Sequence, residues 1–448
     1  MLYVRSLRLG RTFLGFCAFA LIISLVFANT PVSAKAQPKS PERILGPICA
    51  KSLKPTKAEL ASTTGISKNS VTVGNISILT GPVPGLFQGA PYGAEAYFAY
   101  LNSKGGVNGR KIKLVSYDDG FSGQANAEQY RQSIAKQFAV VGSMSLFDNY
   151  GCKLLASSPA FSDISLTLDP TTNALPNVFS PNPTAQSSPI GPLAYIKKHY
   201  PKAKNVSALI SDAETAKLQW SGQKAAFVHN GFKIAYERFI NPLETNFTSD
   251  VVGMRNHKVN IAYLSDGSWQ IEAAQVKEFA QQGFHPTVMI TNGSAYSSQF
   301  LEATKQRANG MYVAQAAALY LGEDAKTVPA VKTFDAWVAR THPGFKPDLF
   351  TVFGWASAQL FAQALAKTGK HPTRGALLAQ LKKVKVFDAS GLIAPSNPAE
   401  KIPPNCYLLA QVRKGKFVRI APKHGWLCGE ASFGIHGLLP KVQPPRSK

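Results

Sequence analysis

One stretch limits what this chain can become more than any other. From Val71 to Gly120 it reads VTVGNISILTGPVPGLFQGAPYGAEAYFAYLNSKGGVNGRKIKLVSYDDG. An apolar strand pattern runs into a Gly/Pro loop, then a helix rich in small residues, a Gly-Gly turn and a second strand. Two strands separated by a helix in this way form a βαβ unit, which requires a parallel sheet. The loop from Thr80 to Gly89 falls at the carboxyl end of the first strand, where open α/β sheets place their ligands.

The alternation continues. Ala127, Tyr130, Ile134 and Phe138 recur at helical spacing and mark a buried face. The strand FAVVGS runs into the loop Met144 to Asn149, and a strand over 163–168 ends at Asp169-Pro170-Thr171. A Pro/Ser-rich segment, Ser180 to Pro192, reads as a crossing, after which the pattern restarts. Strands are predicted to end at Asp212, at Asp266-Gly267 and at Asn292-Gly293. Helices are predicted over 219–230, 271–282 and 351–368. A second crossing is expected near 310–320. Restarting after a crossing implies two lobes built from discontinuous chain, and loops at strand ends in both would face one cleft.

Ends and composition refine this picture. Arg5, Arg8 and Arg11, the apolar run Phe13 to Ala28 and the small-residue site Val32-Ser33-Ala34 read as a secretory signal over 1–34. The rival reading is an uncleaved anchor. The Pro-, Lys- and Ser-rich residues 35–69 read as a loosely packed extension, and 431–448 as a flexible tail. The two lobes are expected to comprise 70–188 with 319–390, and 189–318 with 391–430. Beyond the signal four cysteines remain, and four allow three pairings. Cys406 and Cys428 flank a hairpin-like segment and are expected to pair, leaving Cys49 to tether the extension to Cys152; free buried thiols are the alternative. The formal net charge is +24 over 448 residues, but Lys and Arg are spread along the chain rather than gathered in one helix or tail. Nucleic-acid binding is therefore not expected. A basic surface facing an anionic cell envelope is.

Catalytic signatures are missing. The chain has no GxxxxGK[ST], no HExxH, no GxSxG and no GxGxxG following a strand, and no two of its eight histidines stand four residues apart. The pair Asp118-Asp119 admits an acid–base role, but its place at a strand end before Gly120 favours a turn. No cofactor, no metal and no catalysis are expected.

Leu79-Thr80-Gly81-Pro82, Gly89, Gly93-Ala94, the run Leu101-Asn102-Ser103-Lys104-Gly105-Gly106-Val107-Asn108-Gly109-Arg110, and Tyr117-Asp118-Asp119-Gly120 together resemble type 1 periplasmic binding proteins, specifically the leucine/isoleucine/valine-binding group. The resemblance extends more loosely from Val71 to about Arg419. It implies two Rossmann-like lobes with parallel sheets, three crossover segments, a solute trapped between the lobes, delivery to the permease of an ABC importer, a monomer, and a secreted, periplasmic or envelope-associated bacterial protein. The competing readings are a ligand-sensing domain on the same fold and a secreted α/β enzyme.

Carried over residue by residue, the amino-acid clamp of that group is broken. Its Ser/Thr-rich loop falls on Ser143 to Asn149, where Ser145 remains but Phe147 and Asp148 intrude. Its next loop falls on Leu168-Asp169-Pro170-Thr171. Its acidic partner for the ligand's ammonium falls on Asn292 or Gly293. The expected contacts are therefore Phe87, Gln88, Ser145, Phe147, Asp148, Leu168, Asp169, Asp212, Asp266, Trp269, Asn292 and Tyr296. The aromatic members suggest a solute with apolar or aromatic bulk and at most one charge.

Overall fold

Two sheets organise the molecule. The computed structural model describes residues 49–183, 188–264 and 267–428, with the short strands Ser432–Gly434 and Gly437–Leu438. The segment expected to be a secretory signal, the start of the extension, Asp266 and most of the tail lie outside the described residues.

The first sheet contains β1 (Ser70–Ser77), β2 (Lys111–Asp118), β3 (Val140–Val141) and β4 (Asp163–Ile164). Their order is β2-β1-β3-β4, all parallel. Helices α1 (Gly89–Ser103) and α2 (Gly123–Lys136) follow β1 and β2. The strand expected over 163–168 stops at Ile164. The residues after it leave the sheet and turn toward the other lobe.

The second sheet contains β5 (Asn205–Ser211), β6 (Lys233–Ile240), β7 (Ile261–Leu264), β8 (Val288–Asn292), β9 (Tyr312–Gln315), β10 (Leu408–Arg413) and β11 (Lys416–Ala421). The order is β11-β10-β9-β8-β7-β5-β6. Five strands are parallel, but β10 and β11 are antiparallel, so this sheet is mixed. The reason is local. β10 and β11 are joined by Lys414-Gly415, both at positive φ, which is the geometry of a two-residue hairpin rather than a helical crossover. Helix α3 (Glu214–His229) starts five residues before the predicted 219, which places Thr215 and Ala216 on a helix rather than a loop. Helix α4 (Trp269–Gln281) follows β7. The crossing expected near 310–320 is partly strand, and the chain leaves the sheet only after Gln315.

Three crossings join the sheets: after β4, after β9 and before β10. Between the last two lies α5 (Leu349–Ala366), the one described helix long and apolar enough to span a membrane. Here it is a core helix. Asp348 caps it in a capping box with Thr351. It packs backbone against backbone on α1. A Cβ on Gly93 would lie 1.9 Å from the Thr351 carbonyl oxygen, and one on Gly354 would lie 1.9 Å from that of Ala90. Only glycine permits such an approach, which is why the small-residue pattern of α1 matters.

The disulfides Cys49–Cys152 and Cys406–Cys428 both form. The extension is not loosely packed from Cys49 onward. Besides the disulfide, Thr56 and Glu59 cap a short helix, and the Ser62 carbonyl accepts the Arg374 amide at 2.9 Å.

Candidate functional site

The strands of the first sheet deliver an apolar wall. The loop after β1 contributes Val83, Leu86 and Phe87, and the loop after β2 contributes Phe121. Met144 and Leu146 follow β3, and Leu166 and Leu168 follow β4. The first turns of α5 add Leu349, Phe350 and Phe353, with Phe350 edge-on to Phe87 at 4.7 Å between ring centroids. The close α1–α5 contact sets where these rings stand.

Polar groups behind the wall hold its loops. Asp118 accepts the amides of Leu79 (3.0 Å), Thr80 (3.2 Å) and Gly120 (2.9 Å), together with the Thr80 hydroxyl. Burial pushes its carboxyl up, but these hydrogen bonds outweigh burial and hold it below the usual carboxylate range. Asp119 is buried and accepts the Ser145 hydroxyl at 2.6 Å, the Asn126 amide at 3.0 Å and the Phe121 amide at 3.2 Å. It thereby pins Phe121 at φ 66°, a left-handed conformation that costs a bulky residue strain. The acidic pair is a structural turn that aims Phe121 into the cavity.

The second lobe presents a different wall. Ser211 ends β5, while Thr215, Gln219 and Gln223 stand on α3. Ser268 precedes α4; Thr291, Asn292 and Ser294 close β8; Gln315 closes β9. These groups are polar but uncharged, interspersed with Ala216, Phe227 and Ile271. Asn292 accepts the Ser294 amide at 2.9 Å. Ser294 also donates to the buried Glu272 carboxylate, which stands behind the wall. All three crossings contribute, through Asn182 and Ser188, Ala316, and Tyr407. The enclosed volume is about 220 Å³, just below the ~300–1,000 Å³ usual for drug-sized ligands, so it suits a small solute. No described lining residue is Asp, Glu, Lys, Arg or His. Among the described residues no cluster of three or more His, Cys, Asp or Glu side chains could hold a metal.

The structure distributes the sequence-expected contacts unevenly. Phe87, Leu168 and Asn292 line the cavity. Ser145 does not, because its hydroxyl donates to Asp119 and accepts the Phe147 amide at 3.0 Å. Phe147 stands behind Phe121, edge-on at 5.2 Å. Asp148 is buried, with its carboxylate accepting the amides of Leu168 and Asp169; burial, then the charge of Asp169, push it well above the carboxylate range. Asp169 caps the turn at Thr172. Gln88 is the residue before α1, and Trp269 is half-buried against the core beside the lining residue Ser268. Asp212 is exposed and pairs with Lys217. Tyr296 is fully buried and donates to Glu323. Asp266 lies outside the described residues. Sequence reasoning missed Phe350, Phe353 and the polar face of α3. An Asp-capped apolar helix start reads as core, and the early start of α3 carries no motif.

A model of a periplasmic binding protein family matches residues 70–416. The chain belongs to that family. Its fold is the type 1 periplasmic binding fold, as several solved structures agree. A fatty acid ABC transporter substrate-binding protein from Thermomonospora curvata superposes with a TM-score of 0.67 at 20% identity, covering 80% of this chain and 92% of that one. A solute-binding protein of an ABC transporter from Rhodopseudomonas palustris BisB5, in complex with 3,4-dihydroxy benzoic acid, gives 0.66 at 19% identity, covering 84% and 99%. A branched chain amino acid ABC transporter from Thermus thermophilus with bound valine gives 0.68 at 14% identity, covering 81% and 97%. No curated protein matches the chain.

Proposed function

We propose that this periplasmic binding protein captures a small solute with apolar or aromatic bulk and at most one charge, and hands it to the permease of an ABC importer. One observation carries the reading: the cavity between the lobes has an apolar wall built from four strand ends, and no charged residue among its described lining residues. A free zwitterion would bring two charges into this site with no described partner for either, a cost of several kcal/mol per ion. The serine that would hold its carboxylate is engaged with Asp119. Two neighbours in structure, those named for a fatty acid and solved with dihydroxybenzoate, handle ligands of the proposed kind. The loops that grip the solute belong to different lobes, so closure about the crossings would bury it, driven only by tighter binding to the closed state.

The protein acts outside the cytoplasm as a monomer in this reading, in keeping with the signal expected over 1–34 and with the family, and its basic surface would favour an anionic envelope. Salt should weaken that retention. The test of the reading is a thermal-shift screen over amino acids, aromatic acids, amides and sugars, since a ligand bound only by the folded state raises apparent stability. An aromatic or apolar solute should raise the melting temperature. Stabilisation by leucine or valine, with no effect from any aromatic or neutral compound, would overturn the reading.

A further inference from the structure

Lys and Arg residues scattered through the sequence gather at one end of the second sheet. β5, β6, β7 and β8 are parallel neighbours whose amino ends lie together: Asn205 pairs with Lys233, Val206 with Ile261, and Ile261 with Val288. β10 runs the other way, with Tyr312 opposite Gln411, so its hairpin to β11 turns at this same end. Hydrogen bonds tie the loops there to one another. The Lys233 amide donates to the Lys204 carbonyl at 2.8 Å, the Asn205 side chain donates to the Lys258 carbonyl at 3.0 Å, and the Gly415 amide donates to the Asn309 side chain at 3.1 Å.

Six segments meet at this pole: 197–205, 229–234, 255–261, 282–288, 305–312 and 411–416. They hold twelve Lys and Arg residues and no Asp or Glu. All twelve are exposed, and none forms an ion pair among the described residues. Basic residues in the last turn of a helix offset its macrodipole, which accounts for Lys197, Lys198 and Arg255. It does not account for Lys204 and Lys233, where strands begin, or for Arg413, Lys414 and Lys416 on the hairpin. An acid-free set of this size repels itself, and an anionic partner would relieve the repulsion.

The form of the patch narrows the partner. Seven strands at ~4.8 Å spacing spread the charge over about 30 Å, a broad face rather than a pocket for one anion. Nine of the twelve are Lys, whose point charges suit a diffuse anionic surface better than bidentate recognition of a single phosphate. None of the exposed large hydrophobic side chains falls in the six segments. The pole therefore offers no ring on which a base could stack and no apolar wedge to enter a bilayer. The cavity lies at the other end of the same strands: Ser211, which lines it, closes β5 about 20 Å from Asn205.

We propose that this pole is a docking surface for an anionic lipid bilayer, held by electrostatics alone, with the cavity at the far end of the lobe left free to take up solute. The proposal rests on the extracytoplasmic reading above, which puts a membrane rather than nucleic acid within reach. It gives the retention stated there a face, a partner and an orientation, and it does not depend on which solute binds.

Co-sedimentation of the purified protein with lipid vesicles tests this. Vesicles of phosphatidylcholine mixed with phosphatidylglycerol should bind it at least tenfold tighter than pure phosphatidylcholine, and added salt should erase the difference. Each Lys near such a surface is worth roughly fivefold in affinity. Lys204→Gln, Lys233→Gln, Lys258→Gln and Lys414→Gln combined should therefore weaken binding to the anionic vesicles at least tenfold. Lys51→Gln, Lys54→Gln, Lys57→Gln and Lys68→Gln combined remove the same charge from exposed positions of the extension and should cost less than threefold. If the first set does not melt cooperatively, Arg413→Gln with Lys414→Gln and Lys416→Gln on the hairpin takes its place. Equal losses from the pole and the extension would put the attraction in net charge and overturn the proposal, as would equal binding to both kinds of vesicle. Mixed-sequence duplex DNA that binds tighter than the anionic vesicles, and loses that binding in the pole variant, would overturn the lipid assignment. The solute reading stands or falls separately, by the thermal-shift screen, which needs no vesicles.

Discussion

The two walls of the cavity are built by the same device and carry opposite chemistry. Both use loops at the carboxyl ends of parallel strands. The first lobe spends its polar groups internally: Asp118 and Asp119 tie down loops, Ser145 is bonded to Asp119, and Asp148 takes two backbone amides. What remains facing the cavity is Leu, Phe, Met and Val. The second lobe lines the cavity with uncharged polar side chains such as Gln219, Ser268 and Asn292, and keeps the buried acid Glu272 behind Ser294. Among the described residues, charges are thus present in both lobes as supports and not in the cavity lining.

If the first wall is rigid because α1 and α5 meet backbone to backbone, the largest effect comes from breaking that contact. Gly354→Val should destabilise the protein by more than ~3 kcal/mol, because its Cβ would meet the Ala90 carbonyl oxygen at 1.9 Å. Urea unfolding measures this, and a loss under ~1 kcal/mol would mean the two helices can part cheaply. Next is Phe350→Ala, which opens a gap beside Phe87 in the apolar wall. A stability loss of about 3 kcal/mol is expected, with weaker binding of every solute whatever its head group. A loss confined to one head group would blur the division between the walls.

The charges behind the first wall should move stability with pH and leave selectivity alone. Lys401 is buried over the Phe179 ring, with its ammonium 4.3 Å from the centroid. Burial first, then the charge of Lys382, push it down to about 7, with Asp163 acting the other way. A folded value below the ordinary lysine value means the unfolded chain holds the proton more tightly between the two. Stability from this group is therefore lost as pH falls from about 10.5 through about 7. Asp163 runs oppositely. Burial raises it to about 6, so its contribution weakens as pH rises from about 4 to about 6. Lys401→Met should raise the melting temperature most near pH 6 and hardly at all near pH 10. A gain independent of pH would show that the ammonium is not what strains the site. The smallest effect belongs to the polar wall: Gln219→Met, at a half-buried lining residue on α3, should leave stability within about 1 kcal/mol and weaken a hydroxyl-bearing solute by about 1 kcal/mol, read by calorimetry. An equal loss for the matching ether would argue that Gln219 acts through packing.

Much of the scaffold was legible. The stretch from Val71 to Gly120 pointed to a βαβ unit with a helix rich in small residues, while the backbone contact with α5 that its Gly93 permits shows only in the structure. The hairpin bracketed by Cys406 and Cys428 was legible from its flanking cysteines. The site was less so. Phe87, Leu168 and Asn292 line the cavity, and each lies at the end of a strand or in the segment that follows one. Phe350 and Phe353 were not legible, because an apolar helix start looks the same whether it faces a core or a cavity. Ser145 and Asp148 misled for the opposite reason: a polar residue in a binding loop can hold the loop as readily as the ligand, and only the hydrogen-bond partners tell the two apart.

The central claim is that this cavity accepts a solute through apolar contact and uncharged hydrogen bonds rather than through a zwitterion clamp. Calorimetric titration of the wild-type protein with leucine and valine, run beside phenylpropanamide, tests it most directly. The account predicts measurable binding of the amide and none of either amino acid. Tight binding of leucine or valine, with none of the amide, would contradict it.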